Sequence, residues 1–294
     1  MSQVRYDVDS IHVEPAAAPL PPGIGIQSGA YLLELSLDWI VLRASENVQK
    51  LLDESHVRLI EQPLGDFVRS EALHDLRNLF SRLSGTTGIA RAYRVRLTDE
   101  FDLFDLAFQV SEGRVLLEAI PSRDEALGAA FGTVGGLIAG LSDSGGKALL
   151  EAGARRMRAL TGYDRVTLLI GRSKATSSRS GVPFRSGANA SLSPDMPAMV
   201  SNSAEAPVPM FPRDDATAIG AALLRGPSDE EAAELGERGF ASTMRIPVVR
   251  DGKRLGEFRL AHTRPRAPSF ELHAAAELFA QLFAMQLEID RLKA

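Results

Sequence analysis

The stretch MRIPVVRDGKRLGEFRLAH, residues 244–262, places two runs rich in apolar residues on either side of Asp251-Gly252. An Asp-Gly pair in this position favours a type I′ turn, whose positive backbone angles match the twist of two paired strands. The stretch therefore predicts a β-hairpin. It is preceded by an amphipathic helix ending at Gly162, KALLEAGARRMRALTG, and by the strand YDRVTLLIG (163–171). These elements predict a mixed α and β domain in the second half of the chain.

The first half of the chain shows a similar mixture of elements. Two strands, AYLLEL and WIVLRAS, are followed by a short helix, SENVQKLLD, and by an amphipathic helix, EALHDLRNLFSRLSG. Three more strands follow in ARAYRVRLT, FDLFDLAFQV and RVLLEAI. The order strand–strand–helices–three strands predicts an α+β domain. Residues 171–230 carry many Ser, Pro and Gly residues, and we expect them to be irregular.

The composition excludes several classes of protein. The 294 residues carry a net charge of −5, which argues against a nucleic-acid partner, and we find no apolar run long enough for a membrane span. No signal-peptide pattern opens the chain, so we expect a cytoplasmic protein. Cysteine is absent, which excludes disulfides, thiolate metal ligands, thiol nucleophiles and thioether-linked prosthetic groups.

Motifs for enzymatic chemistry are weak. GIGIQSG (23–29) lacks the strand and the spacing of a dinucleotide loop, and SDSGGKAL (142–149) has Ala148 where a phosphate loop needs Ser or Thr. No metal-ligand spacing relates the five histidines, His12, His56, His74, His262 and His273. We therefore predict neither a catalytic nor a metal site, and any kinase or cyclase activity would belong to a domain outside this chain.

The C-terminal helix, FELHAAAELFAQLFAMQLEIDRLKA, carries two apolar stripes. One stripe has the 4-3-4-3 spacing of a coiled-coil seam and consists of Leu278, Leu282, Met285, Ile289 and Leu292. The other lies beside it and consists of Leu272, Ala276, Phe279, Phe283 and Leu287. A helix that is apolar on two faces is buried on two faces, which favours a parallel homodimer. A single wide stripe facing the core of its own domain stays open as the alternative.

Five segments in the second half occur in the order found in the PAS–GAF photosensory core of bacterial phytochromes. They are LTGYDRV (160–166), SPDMPA (193–198), LLRGPS (223–228), STMRIPVVRDGKRLG (242–256) and LAHTRPR (260–266). The chain resembles that family over essentially its whole length. The resemblance implies an N-terminal segment at 1–29, a PAS domain at 30–122, a linker at 123–144, a GAF domain at 145–268 and a dimerisation helix at 269–294. It also implies that the N-terminal segment passes under a lasso at about 205–230, in a figure-of-eight knot.

The resemblance extends to the N-terminus, where YDVDSIHV (6–13) aligns with the family's bilin-attachment segment. Tyr6 then occupies the position of the attachment cysteine. A phenol with a pKa near ~10 has almost no anion at neutral pH and cannot replace a thiolate. Covalent attachment of a bilin through a thioether is therefore excluded.

The resemblance also assigns the rest of a bilin pocket. Asp195, Met196 and Pro197 match the segment that faces the pyrrole nitrogens, Arg225 and Thr243 match contacts to propionates, and His262 matches a histidine near the chromophore. Asp195 has a plainer interpretation as a turn or cap residue, Arg225 as a surface ion pair, and His262 as a satisfied strand histidine. Family polar residues are lost at five other positions, Leu169, Ser201, Ala204, Glu231 and Glu234.

These losses remove hydrogen-bond partners that a buried bilin needs, and two of them place glutamates near anionic propionates. We therefore predict a phytochrome-type sensory module that holds no cofactor and relays a signal to an output domain outside this chain. Two alternatives stay open: a photoreceptor that binds biliverdin without a covalent bond, and a GAF domain that binds another small ligand.

Overall fold

The computed structural model describes residues 25–83, 88–123, 128–141, 144–182, 184, 193, 196–213 and 217–293. It confirms the predicted α+β class. The described chain divides into two compact units. The first unit is built from residues between 25–123 and 193–234, and the second from residues between 128–184 and 235–293. Tyr6 and Asp195 lie outside the described residues, as does most of the predicted N-terminal segment.

The elements follow one another along the chain in this order: β1 (Tyr31–Leu35), β2 (Val41–Ser45), α1 (Gln49–Leu52), α2 (His56–Leu59), α3 (Ser70–Leu83), β3 (Ala90–Val95), β4 (Phe104–Ser111), β5 (Arg114–Pro121), α4 (Ala129–Ala139), α5 (Gly146–Thr161), β6 (Arg165–Ile170), β7 (Ser173–Ser178), β8 (Met199–Val200), β9 (Met210–Phe211), α6 (Asp229–Arg238), β10 (Ser242–Arg250), β11 (Lys253–His262) and α7 (Phe270–Lys293). A 3₁₀ turn at Leu64–Asp66 precedes α3, and another at Thr217–Ala221 precedes α6.

The first unit is an antiparallel sheet with strand order β3–β4–β5–β1–β2–β9. Alternate residues of a strand point to opposite faces of a sheet. On β5, Val115, Leu117 and Ala119 enter the hydrophobic core, which also includes Leu59 and Leu76 from the helices. Glu118 points to the opposite face and is buried there as well. The sheet therefore has an apolar face covered by helices and a second, more polar buried face.

The second unit contains the sheet β7–β6–β11–β10. Phe258 on β11 packs edge-to-face against Phe279 and Phe283 of α7, with ring centroids 5.9 and 5.4 Å apart. A Cβ on Gly153 of α5 would lie 2.5 Å from the Phe283 ring, so the glycine permits α5 and α7 to pack closely. Both helices therefore cover the face of the sheet that carries Phe258.

The hairpin forms as predicted. β10 and β11 pair from Ser242↔His262 to Arg250↔Lys253. The turn residues Asp251 and Gly252 have φ values of +49° and +74°, as a type I′ turn requires. The Asp251-Gly252 turn predicted from the sequence thus sets the register in which β10 and β11 pair.

Two stretches contain regular secondary structure that the sequence analysis did not predict. A helix, α4, occupies much of the stretch treated as a linker, and α4 and α7 are in contact. Its glycines disfavour a helix, but the burial of Val134 and Leu141 stabilises it. The stretch 171–230 is also less irregular than expected, because SKATSS forms β7 by pairing in register with β6 although it lacks an apolar pattern.

The apolar stripes of α7 have different environments. Phe279, Phe283 and Leu287 are buried within the second unit. Four of the five residues of the coiled-coil stripe are exposed, with exposed fractions of 37% at Leu278, 48% at Met285, 44% at Ile289 and 76% at Leu292, and Leu282 is half-buried. The alternative of one wide core-facing stripe is therefore wrong. Among the helices described, none is long and apolar enough to cross a membrane.

Candidate functional site

Within the first unit, Gln27 crosslinks two distant segments of chain, residues 199–201 and 223–226, which we call the lasso neck. Its Nε2 donates to the carbonyl oxygens of Met199 at 2.6 Å and of Arg225 at 3.1 Å. Its Oε1 accepts from the backbone N–H and the hydroxyl of Ser201, both at 2.7 Å. Gln27 is 5% exposed. One buried amide therefore satisfies four polar groups and fixes both sides of the neck.

The backbone on either side of Gln27 makes further contacts with this region. Ile26 exchanges backbone hydrogen bonds with Val208 at 3.0 and 2.7 Å, and the N–H of Gly226 donates to the carbonyl of Gly25 at 2.8 Å. A Cβ on Gly25 would lie only 1.8 Å from the Val208 carbonyl oxygen, so a side chain at position 25 forces this strand apart. Residues 25–27 thus run between the two sides of the predicted lasso, while the chain before Gly25 lies outside the described residues.

Arg225, which the resemblance assigns to a propionate, forms an ion pair with Glu231. The guanidinium Nη1 and Nη2 donate to Oε2 and Oε1 of Glu231 at 2.9 and 2.8 Å. Arg225 is 2% exposed, so its interpretation as a surface ion pair is wrong. The pair is a bidentate, charge-assisted contact in a buried setting.

The same Glu231 caps helix α6. Its carboxylate accepts from the N–H of Ser228 at 2.7 Å, and the Ser228 hydroxyl accepts from the N–H of Glu231 at 3.2 Å. This reciprocal Ser-x-x-Glu arrangement is a capping box. The capping sequence is visible in residues 228–231, and it could have placed Glu231 at the helix start. Its pairing with Arg225 requires the tertiary structure.

The second glutamate that replaces a family residue also has a partner inside the first unit. The carboxylate of Glu234 accepts from the N–H of Ser193 at 3.3 and 3.4 Å. Met196 and Pro197, predicted to line the bilin pocket, are buried three and four residues after Ser193. Both glutamates therefore hold the protein's own backbone or side chains.

Glu118 is a site residue that the sequence analysis missed. It is 1% exposed on β5, and its two carboxylate oxygens accept from the N–H groups of Leu223 at 2.8 Å and Leu224 at 2.7 Å. Burial raises the pKa of Glu118 to about 7, although both N–H bonds and the charge of Arg91 act in the opposite direction. The only sign of this role in the sequence is that Glu118 is a single acidic residue inside the apolar run RVLLEAI (114–120).

The two predicted pocket residues of the second unit lie on opposite faces of its sheet. Directly paired residues share a face and successive residues alternate. His262 pairs with Ser242, and Thr243 pairs with Ala261, so the side chains of His262 and Thr243 point in opposite directions. The structure does not combine them into one site.

His262 contacts Asp164, with 2.8 Å between Nδ1 and Oδ2. Asp164 also accepts from the N–H and the hydroxyl of Thr263 at 3.1 and 2.9 Å. These hydrogen bonds, His262 and Arg179 lower the pKa of Asp164 despite its desolvation. Burial lowers the pKa of His262, aided by Arg266 and other cations, and the Asp164 charge opposes this shift. His262 is therefore a strand histidine with a carboxylate partner.

The sheet face that carries Thr243 also carries a charged cluster. Glu257 is 4% exposed and pairs with Arg245 at 2.9 Å, with Arg254 at 2.5 Å and, most closely, with Arg259. Arg245 and Arg259 hold the pKa of Glu257 below its ordinary range despite its burial. The Thr243 hydroxyl is fully buried and has no hydrogen-bond partner among the described residues. Within the described ranges, no group of three or more acidic, cysteine or histidine residues could hold a metal ion.

Comparison with family models finds a PAS fold at residues 23–121 and a GAF domain at residues 147–290. These two matches together span most of the chain. The chain therefore contains a PAS fold followed by a GAF domain. Comparison with curated proteins found no match.

The solved structures that superpose on this chain include chromophore-binding domains of a bacteriophytochrome and of a phytochrome. The chromophore-binding domain of the bacteriophytochrome RpBphP3 from R. palustris superposes with a TM-score of 0.72 at 23% sequence identity, covering 93% of this chain and 97% of that chain. The wild-type chromophore-binding domain of Stigmatella aurantiaca phytochrome P1 gives 0.71 at 22% identity, with 90% and 97% coverage. A longer RpBphP3 structure is covered over 60% of its length. The order PAS then GAF, which the sequence predicted, is confirmed.

Proposed function

We propose that this PAS–GAF protein is a sensory relay of the phytochrome type that works without a bilin. The observation that carries the proposal is the buried Arg225–Glu231 pair, with contacts of 2.9 and 2.8 Å. The arginine assigned to a propionate already has a bidentate carboxylate partner of the chain's own. An incoming propionate would have to displace Glu231, which would leave that carboxylate buried without its main cation.

The chemistry of attachment supports the same proposal. The sequence contains no cysteine, and Tyr6 stands at the position where the resemblance places the attachment thiol. Two residues that stand where the family has other polar groups form hydrogen bonds within this chain. Ser201 donates to Gln27, and Glu234 accepts from Ser193. The described residues therefore do not fit a bilin in the way the resemblance implies.

The relay would act through a homodimer, which we assign to α7. Its exposed stripe has coiled-coil spacing, and one such stripe is complementary to a second copy of itself in parallel register. The adjacent α4 adds Gly132 and Gly136, four residues apart, where a Cβ would meet no atom within 4 Å. Small residues at this spacing permit a partner helix to approach closely. We expect the signal to pass to an output domain outside this chain, in the cytoplasm.

A second candidate function has its own observation. The buried, unpartnered hydroxyl of Thr243 lies on the sheet face opposite α5 and α7. A buried polar group without a partner costs free energy, which a bound ligand would recover. This supports a GAF domain that holds a small polar ligand near Thr243.

The deciding experiment is an absorbance spectrum of the purified protein after incubation with biliverdin and removal of the free pigment. We expect no red absorbance band and no change on illumination. A red band that responds to light would overturn the proposal in favour of a non-covalent photoreceptor. A thermal-shift series with nucleotides on wild type and Thr243→Val tests the second candidate, which requires a stabilisation that the variant loses.

A further inference from the structure

The contact between Glu118 and the lasso neck joins a titratable group of the PAS sheet to the segment that carries Arg225. Both N–H donors, from Leu223 and Leu224, come directly before Arg225 in the chain. The side chain of Gln109, on the neighbouring strand β4, also donates to the carbonyl of Ala221 at 2.5 Å. The polar face of this sheet therefore binds residues 221–224 through their backbone.

We propose that Glu118 is a proton-sensitive latch, whose ionisation weakens the docking of residues 221–226 on the PAS sheet. When the neck is docked, Glu118 is fully buried, and its carboxylate has only two backbone N–H groups to replace water. When the neck leaves the sheet, the carboxylate regains water. Ionisation therefore favours the undocked state.

Among the described residues, the sheet face that carries Glu118 also carries Asp105 of β4, which accepts from the N–H of Arg94 and from the Ser122 hydroxyl. On the strands, Arg91 of β3 faces Glu118 and favours its ionisation. Glu34 of β1 lies 3.8 Å from both Arg43 of β2 and Arg114 of β5, so these three charges form a cluster of their own. Residues 217–224, which lead into and include the start of the second side of the lasso neck, contribute no titratable side chain, and the next residue, Arg225, is paired with Glu231. The effect of burial, which raises the pKa of Glu118, is therefore larger than the opposing effect of Arg91.

The direction of the effect follows from linkage. With its pKa raised to about 7 in the docked state, Glu118 keeps its proton over a pH range in which an exposed glutamate has lost it. Between the ordinary value, 4.5, and about 7, the docked state holds one more proton than the undocked state. The equilibrium constant for docking therefore falls by up to about tenfold for each pH unit between these two values. Above about pH 7 it no longer depends on the ionisation of Glu118.

Hydrogen exchange measured by mass spectrometry on the full chain tests the latch. The readout is the protection factor of peptides covering residues 217–226, corrected for the intrinsic pH dependence of exchange, between pH 5 and 8.5. We expect protection to fall as the pH rises to about 7 and then to level off. A flat profile in the wild type overturns the proposal, whatever the variants do.

Two variants sharpen the test. Glu118→Gln removes the ionisable group. In this variant we expect the protection factor of residues 217–226 not to fall between pH 5 and 7. Glu100→Gln changes an exposed glutamate and should keep the wild-type slope. A wild-type slope that persists in Glu118→Gln assigns the effect to another group and overturns the proposal. The latch does not depend on whether biliverdin binds, so its failure leaves the proposed function untouched.

Discussion

Arg225 and Glu231 lie six residues apart and form a buried bidentate ion pair, in which the carboxylate also caps helix α6. A pair of this kind is costly to break at one partner only, because the remaining charge stays buried. The pair therefore makes the lasso neck dependent on Glu231, one of the positions at which a polar residue of the family is lost.

We expect Glu231→Gln to destabilise the protein by about 3–5 kcal/mol, since it leaves the Arg225 charge without its carboxylate. The capping box tolerates glutamine, so the loss reports mainly on the ion pair. Urea unfolding measures it. The double variant Arg225→Met/Glu231→Gln removes both charges and should recover most of the loss. A double variant as unstable as Glu231→Gln alone contradicts this account.

Gln27→Ala should loosen the lasso neck, because four hydrogen bonds are lost and their partners on Met199 and Arg225 stay buried, while those on Ser201 stay partly buried. At about 0.5–1.5 kcal/mol for each of the four bonds, the expected loss of stability is about 2–6 kcal/mol. Thermal and urea unfolding give the value. Gln62→Ala changes an exposed glutamine and should cost less than about 0.5 kcal/mol. Equal effects of the two substitutions would show that Gln27 does not act as a crosslink.

Leu282→Glu and Ile289→Glu should each convert the dimer to a monomer at micromolar concentration, because each places a charge in the coiled-coil seam of α7. Ile289 is 44% exposed, so its substitution leaves the core of the second unit intact. Sedimentation velocity distinguishes the two states. Gln281→Glu adds the same charge at an exposed position of the helix outside the seam and should leave the dimer intact. A wild-type protein that sediments as a monomer rules out the dimer.

His262 should titrate below its ordinary value, because burial disfavours the imidazolium. A histidine with a lowered folded pKa stabilises the protein above its ordinary pKa, near ~6.5, and that stability declines as the pH falls below this value. Asp164→Asn removes the carboxylate that opposes the shift, so we expect the His262 midpoint to fall further. The ring proton NMR signal, assigned with His262→Gln, measures both midpoints. A midpoint that rises in Asp164→Asn contradicts the arrangement.

The sequence alone predicted the α+β class, the order of the two domains and the central hairpin. The α+β class and the hairpin depend on local chemistry: the positive φ values at Asp251 and Gly252, the end of α5 at Gly162 and the periodicity of the apolar residues. The order of the two domains came from the resemblance to a known family. The absence of cysteine also settled the question of thioether attachment from the sequence, since that bond requires a thiolate.

Only the tertiary structure decided what the buried charges do. A glutamate in a sequence carries no sign of its partner, because partners such as Glu118 and Leu223 are 105 residues apart. The same limit explains why Arg225, assigned to a propionate by resemblance, pairs with Glu231, and why His262 and Thr243 separate onto two faces of one sheet. Strand register and burial set these contacts, and both arise from the packing of the whole chain.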